Sequence, residues 1–146
     1  MIGWKEYYKK AISDKPSYIL KDFFDKGFDK QINEKNAIDL GCGCGNDMVY
    51  LLKNNYSVIG VDKEQMVVEL IKSRITEKEK VDFIINDFSK IELPKTNLVV
   101  SNFSIPFCQP VFFEKFCKEF TNSINLGGYF CRKLFWTRRW MEKWWN

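Results

Sequence analysis

Three alternating glycines, Gly41, Gly43 and Gly45, stand between two carboxylates: Asp39 just before them and Asp62 twenty-one positions after Gly41. Glycine has no Cβ and tolerates positive φ, so a ligand can lie directly against such a turn. Asp62 ends the apolar run Val58-Ile59-Gly60-Val61, and an acid at the tip of a neighbouring strand is placed to accept hydrogen bonds from a ribose diol. The pairing points to a nucleoside cofactor. The bland alternative for the glycines is a tight strand–helix turn.

Several chemistries drop out at once. The chain has no histidine, which removes His-based triads and nearly all His-containing zinc sites, and no metal site is expected. A phosphate-cradling loop needs Gly-Lys-Ser/Thr, but Gly45 is followed by Asn46-Asp47. A dinucleotide fingerprint fails in both registers: its last position falls on Asn46 or on Met48. Asp47 would also set negative charge where a pyrophosphate sits. The five cysteines are scattered, and no signal-peptide core or membrane-length apolar run is seen. Free thiols in a reducing cytoplasm, with no membrane partner, are therefore expected.

The elements that must hold these residues follow from hydrophobic spacing. Trp4–Ile12 and Pro16–Lys26 read as helices, the second stopped by Gly27. Strands are expected at Ala37–Leu40, Ser57–Val61, Val81–Ile85, Asn97–Val100 and Tyr129–Phe135. Helices are expected at Asn46–Asn54, Glu64–Thr76 and Pro110–Ile124, with Gly127-Gly128 as a turn. Short apolar strands alternating with helices imply an α/β, three-layer sandwich: a doubly wound, mostly parallel sheet with its ligand beyond the carboxyl ends of strands 1 and 2. One domain is expected over 1–146, with a helical cap at 1–35, an α/β core at 36–135 and a tail at 136–146.

Asp39-Leu40-Gly41-Cys42-Gly43-Cys44-Gly45 resembles the D-x-G-x-G-x-G loop of class I S-adenosylmethionine (SAM)-dependent methyltransferases, a Rossmann-like fold. Asn86-Asp87-Phe88 after strand 3 and Asn125-Leu126-Gly127-Gly128-Tyr129 before strand 5 are similar to further motifs of that family. Trp4-x-x-Tyr7-Tyr8, Lys15-Pro16, the Gly45-Asn46-Asp47 extension and Ser101 to Cys108 look like the tellurite-resistance and thiopurine methyltransferase group. The resemblance implies SAM as cofactor, S-adenosylhomocysteine as product, and a small, soft, thiol- or chalcogen-type acceptor. It implies cofactor contacts from Asp39, Gly41, Cys42, Gly43, Gly45, Asp62, Lys63, Met66, Asp87, Phe88 and Asn102. Trp4, Tyr8, Phe103 and Pro106 would lie on the acceptor side, with Trp4, Tyr7 and Tyr8 as a lid. The bland alternatives are solvated strand-end acids for Asp62 and Asp87, core packing for Met66, and a packed helix for Trp4 and Tyr8.

Methyl transfer is an in-line displacement at carbon already activated by positive sulfur. Placing nucleophile and methyl about 3 Å apart supplies much of the catalysis, and no acid or base residue is singled out. Ser101-Asn102-Phe103-Ser104 differs from the Asn/Asp-Pro-Pro-aromatic signature of nucleic-acid amino methyltransferases. After Phe130 the chain departs from the family and reads as shortened by the last two strands. Residues 131–146 carry the whole net charge of +4, and four of the five tryptophans also lie there. Trp136, Trp140 and Trp144 could cover strand 5 as a helix, or a homodimer could pair its edge. A non-catalytic SAM-binding module and a nucleic-acid methyltransferase are the alternative functions.

Overall fold

Runs of Val, Ile and Leu with no polar face can be buried only where helices cover both sides of a sheet. The structure, a computed structural model describing residues 3–133, is built this way. Strands β1 (Asn36–Leu40), β2 (Ser57–Asp62), β3 (Val81–Ile85), β4 (Thr96–Asn102) and β5 (Ile124–Lys133) form one sheet in the order β3-β2-β1-β4-β5. All four pairings are parallel, with Leu40 level with Val61 on one side and Ser101 on the other. The chain reverses its direction of travel across the sheet between β1 and β4, which leaves a crevice at their carboxyl ends.

Alternation along each strand divides the core in two. Ala37, Val58, Leu98 and Val100 face helices α2 (Tyr18–Asp25), α3 (Asn46–Lys53) and α4 (Met66–Lys72), where Leu20, Met48, Leu51, Val67 and Ile71 are sealed from solvent. Ile38, Leu40, Val61 and Val99 face Phe116 and Phe120 of α5 (Phe113–Ser123). Gly60 has no room for a side chain, because a Cβ there would come within 2.6 Å of Met48 Sδ and 3.0 Å of Cys42 Sγ. The doubly wound three-layer arrangement expected from the sequence is the one observed.

Several boundaries differ from expectation for local reasons. Helix α2 begins at Tyr18, not Pro16, because the Ser17 side chain accepts the Leu20 N–H as an N-cap. Helix α4 stops at Lys72, where the Ser73 hydroxyl turns back to the Leu70 carbonyl. Pro110–Phe112 forms a 3₁₀ turn before α5 starts. The turn expected at Gly127-Gly128 lies inside β5 as a bulge: Ile124 pairs with Thr96 and Tyr129 with Leu98, so the residues between are thrown out. Leu126 is fully exposed there and Gly127 has φ 82°. Helix α1 (Trp4–Ala11) precedes the sheet. The expected tail at 136–146 and the expected end of strand 5 lie outside the described residues.

Candidate functional site

The turn between β1 and α3 forms because each glycine takes a left-handed conformation that other residues rarely adopt. Gly41, Gly43 and Gly45 have φ of 70°, 52° and 84°. A Cβ at Gly41 would overlap Ser104 Cβ and lie 2.8 Å from its Oγ, and one at Gly45 would lie 2.6 Å from Ile71 Cγ1. The Gly41 and Cys42 amides both donate to the Val61 carbonyl, at 2.7 and 3.0 Å. These bonds hold the turn across the tip of β2.

Asp62 closes the arrangement from that tip. One carboxylate oxygen accepts the Gly43 N–H at 3.0 Å and the other accepts the Glu64 N–H at 3.0 Å. Each oxygen has two acceptor directions, so half the capacity of the carboxylate is left for a ligand. Asp39 lies buried on β1 with no hydrogen bond from its carboxylate to a described residue. Burial first, then the Asp47 and Asp62 carboxylates, hold its pKa well above the usual carboxylate range. Burial also raises Asp47, opposed by the Ser17 N–H and side chain. Among the described residues none of these three acids is in an ion pair. The turn is therefore a polar cradle lined by acids, whose ionised forms a cation would favour.

The two cysteines of the turn contribute main chain, not thiolate. Both are buried, and burial pushes each thiol pKa up. No group of His, Cys, Asp and Glu among the described residues could hold a metal ion.

The other expected contacts are more dispersed. Lys63 is exposed beside Asp62, and Met66 opens α4 half-buried against the first core. Asp87 caps the 3₁₀ turn Phe88–Lys90 by accepting the Ser89 N–H at 2.9 Å, and the Ser89 hydrogen bonds lower its pKa. Phe88 stacks on Phe116 with ring centroids 4.5 Å apart, so one of its faces is taken by the core. Asn102 ends β4 exposed, and Phe103 follows with φ 60°. The Phe103 ring lies 4.7 Å from Lys133 Nζ, and Pro106 sits in the 3₁₀ turn Ile105–Phe107.

Three features escaped the sequence. Ser104 packs on Gly41, donates to the Leu40 carbonyl and shares a 2.8 Å hydrogen bond with Ser101 Oγ. This fixes the loop after β4 to the glycine turn. Second, Tyr8 of α1, expected as part of a lid on the acceptor side, is buried across the turn itself, a position the sequence did not indicate: a Cβ on Gly43 would lie 3.2 Å from its ring. Burial and then the Asp62 carboxylate raise the pKa of the Tyr8 hydroxyl far above its usual value. Trp4 stacks on Tyr8 at 5.7 Å and meets Phe107 edge-on at 5.6 Å. Third, Arg74 reaches the Cys44 carbonyl and Ser13 from the end of α4. An open groove of about 510 Å³ lies elsewhere, lined by Ala37, Ser57, Val81 and Thr96 at the amino ends of the strands.

Comparison with known proteins gives the family of the chain. The methyltransferase domain family matches residues 37–128, well over half the chain. A probable ribosomal RNA small subunit methyltransferase A from Methanococcoides burtonii is 31% identical over 68% of this chain and 37% of its own length. A carboxy-S-adenosyl-L-methionine synthase from Nautilia profundicola is 29% identical over 77% of this chain and 46% of its own. The chain thus spans less than half the length of these relatives. The crystal structure of TehB from Haemophilus influenzae superposes with a TM-score of 0.65 and 23% identity, over 86% of this chain and 42% of that one. At that identity the likeness is one of fold.

Proposed function

The chain belongs to the methyltransferase domain family, and on that premise we propose that it binds S-adenosylmethionine at the Gly41–Gly45 turn and methylates a small, soft nucleophile. The observation that carries this reading is the trio of left-handed glycines with the Asp62 carboxylate fastened to the Gly43 amide. When bound, the cofactor supplies a methyl group on positive sulfur. The chain supplies the rest: Asp39 meets the cationic methionine end, Asp62 the ribose hydroxyls, and Met66, Asp87 and the free face of Phe88 the adenine. Residues 102–107 line the acceptor side, and residues 1–35 act as a cap on the α/β core. The Asp39 carboxyl, without a hydrogen-bond partner among the described residues, fits a ligand carrying ammonium and sulfonium charge, since a cation beside it would favour the ionised form that burial disfavours. A thiolate or chalcogenide acceptor would need no base, in keeping with a chain free of histidine.

Calorimetric titration with SAM tests the binding claim. Saturable heat is expected, with Asp62→Ala weakening affinity about tenfold to a hundredfold, as for loss of a charged hydrogen-bond acceptor worth about 1.5–3 kcal/mol. Absence of both heat and thermal shift at millimolar ligand overturns it. Binding without turnover on thiol, chalcogen and amine acceptors favours a non-catalytic module. The identity shared with a ribosomal RNA methyltransferase supports a second reading, methylation of nucleic acid. A salt-dependent gel shift abolished by neutralising the basic residues at 132–143 would favour that reading.

A further inference from the structure

The Asn46 and Asp47 side chains hold the segment between α1 and α2. Asn46 Oδ1 accepts the Ser13 N–H at 3.0 Å while Asn46 Nδ2 donates to the Ala11 carbonyl at 2.8 Å. Asp47 Oδ1 accepts the Ser17 N–H at 2.6 Å. Arg74 joins the turn to Ser13: one terminal nitrogen donates to the Cys44 carbonyl at 2.6 Å and to Asn46 Oδ1 at 2.8 Å, the other to the Ser13 carbonyl at 2.8 Å. The planar fork of a guanidinium can serve both segments at once, which an ammonium cannot. Four hydrogen bonds therefore fix the connection from Ala11 to Ser17 to the glycine turn.

Helix α1, just before that connection, is held differently. Tyr8 is its one buried residue, and the Tyr8 hydroxyl makes no hydrogen bond to a described residue. The rings of Trp4 and Phe107 complete the contact. Tyr8 covers Gly43 next to Asp62, where the proposed function puts the ribose and methionine of the cofactor. A cofactor seated on Gly43 would meet the Tyr8 ring there.

We propose that Arg74 is a positioning residue for cofactor binding: it clamps the Ala11–Ser17 connection and so makes α1 a hinged flap whose Tyr8 ring closes the seat at Gly43. This rests on the SAM reading of the turn. The cofactor binds the open flap, so its apparent affinity is reduced by the fraction of molecules that are closed.

Stopped-flow binding of SAM and of S-adenosylhomocysteine to the full chain, with hydrogen exchange of the ligand-free protein, tests the proposal. Tyr8→Ala is expected to raise the association rate constant at least fivefold, and Tyr8→Phe, which keeps the ring, to leave it at the wild-type value. Arg74→Met is expected to speed exchange of the amides at 5–11 at least tenfold while those of β1 and β4 hold. It should also raise both association and dissociation rates severalfold, and Arg74→Lys should not restore them. Asn46→Ala should add little to Arg74→Met, since both open the same clamp. An unchanged association rate in Tyr8→Ala overturns the flap. Wild-type exchange at 5–11 in Arg74→Met overturns the clamp. If the wild-type chain bound neither ligand, the cofactor reading and the role of the clamp in binding would fall together; the exchange measurement separates that result from a failure of the clamp itself.

Discussion

Replacing Gly41 by alanine should combine two separable penalties. The first is conformational: φ of 70° forces an L side chain into the left-handed region, at about 1–2 kcal/mol. The second is steric, because the new methyl would overlap Ser104, which is buried and hydrogen-bonded to the Leu40 carbonyl and so poorly able to retreat. Overpacking of this kind costs about 1–3 kcal/mol. Together they come to roughly 2–5 kcal/mol, a fall in Tm of about 5–15 °C for a domain of this size. Gly127→Ala is the internal control, since its φ is 82° but nothing lies within 4 Å of the added Cβ. It should show the conformational penalty alone. Urea unfolding of Gly41→Ala, Ser104→Gly and the double variant measures the steric part as a coupling energy of about 1–3 kcal/mol, with the m-value unchanged. If Gly41→Ala is no worse than Gly127→Ala, or the cycle shows no coupling, the contact between turn and loop is not what excludes a side chain at position 41.

Two further outcomes follow from buried polar groups. The raised pKa of Asp39 means that its neutral form suits the fold, so wild-type stability is full below the unfolded carboxylate pKa and declines as pH rises through the higher folded value. Asp39→Asn should remove that decline, by up to about 1.4 kcal/mol per pH unit; parallel Tm–pH curves for the two proteins would refute this. Tyr56 is buried, its hydroxyl has no hydrogen-bond partner among the described residues, and burial pushes its pKa up to about 12. Tyr56→Phe should therefore be neutral or stabilising by up to about 1–2 kcal/mol in urea unfolding, and a loss of more than 1 kcal/mol would count against the unpaired hydroxyl.

What the sequence revealed and what it hid divide by range. The β1 and β2 strands were legible because both faces are apolar and little else satisfies such a run. The glycine turn was legible because three left-handed positions in five residues leave a visible spacing. Helix ends were displaced by side chains that bond their own backbone, Ser17 at α2 and Ser73 at α4. The bulge at 125–128 has the residues of a turn and became part of β5 because Tyr129 resumes pairing with Leu98. Nothing local announces that Tyr8 lies over Gly43, or that Arg74 reaches Ser13 across 61 positions. Likewise, Phe88 can be read as a ligand contact from its motif, while its stacking on Phe116 depends on where α5 lands.

The hydroxyl relay from Ser101 through Ser104 to the Leu40 carbonyl has a bearing on redesign. It welds the half of the crevice that would choose an acceptor to the half that would hold the donor, so the two travel as one rigid piece. On the proposed reading, positions 103 and 106 could then be varied to retune selectivity without disturbing donor alignment, whereas any bulk at 104 would be felt on both sides at once.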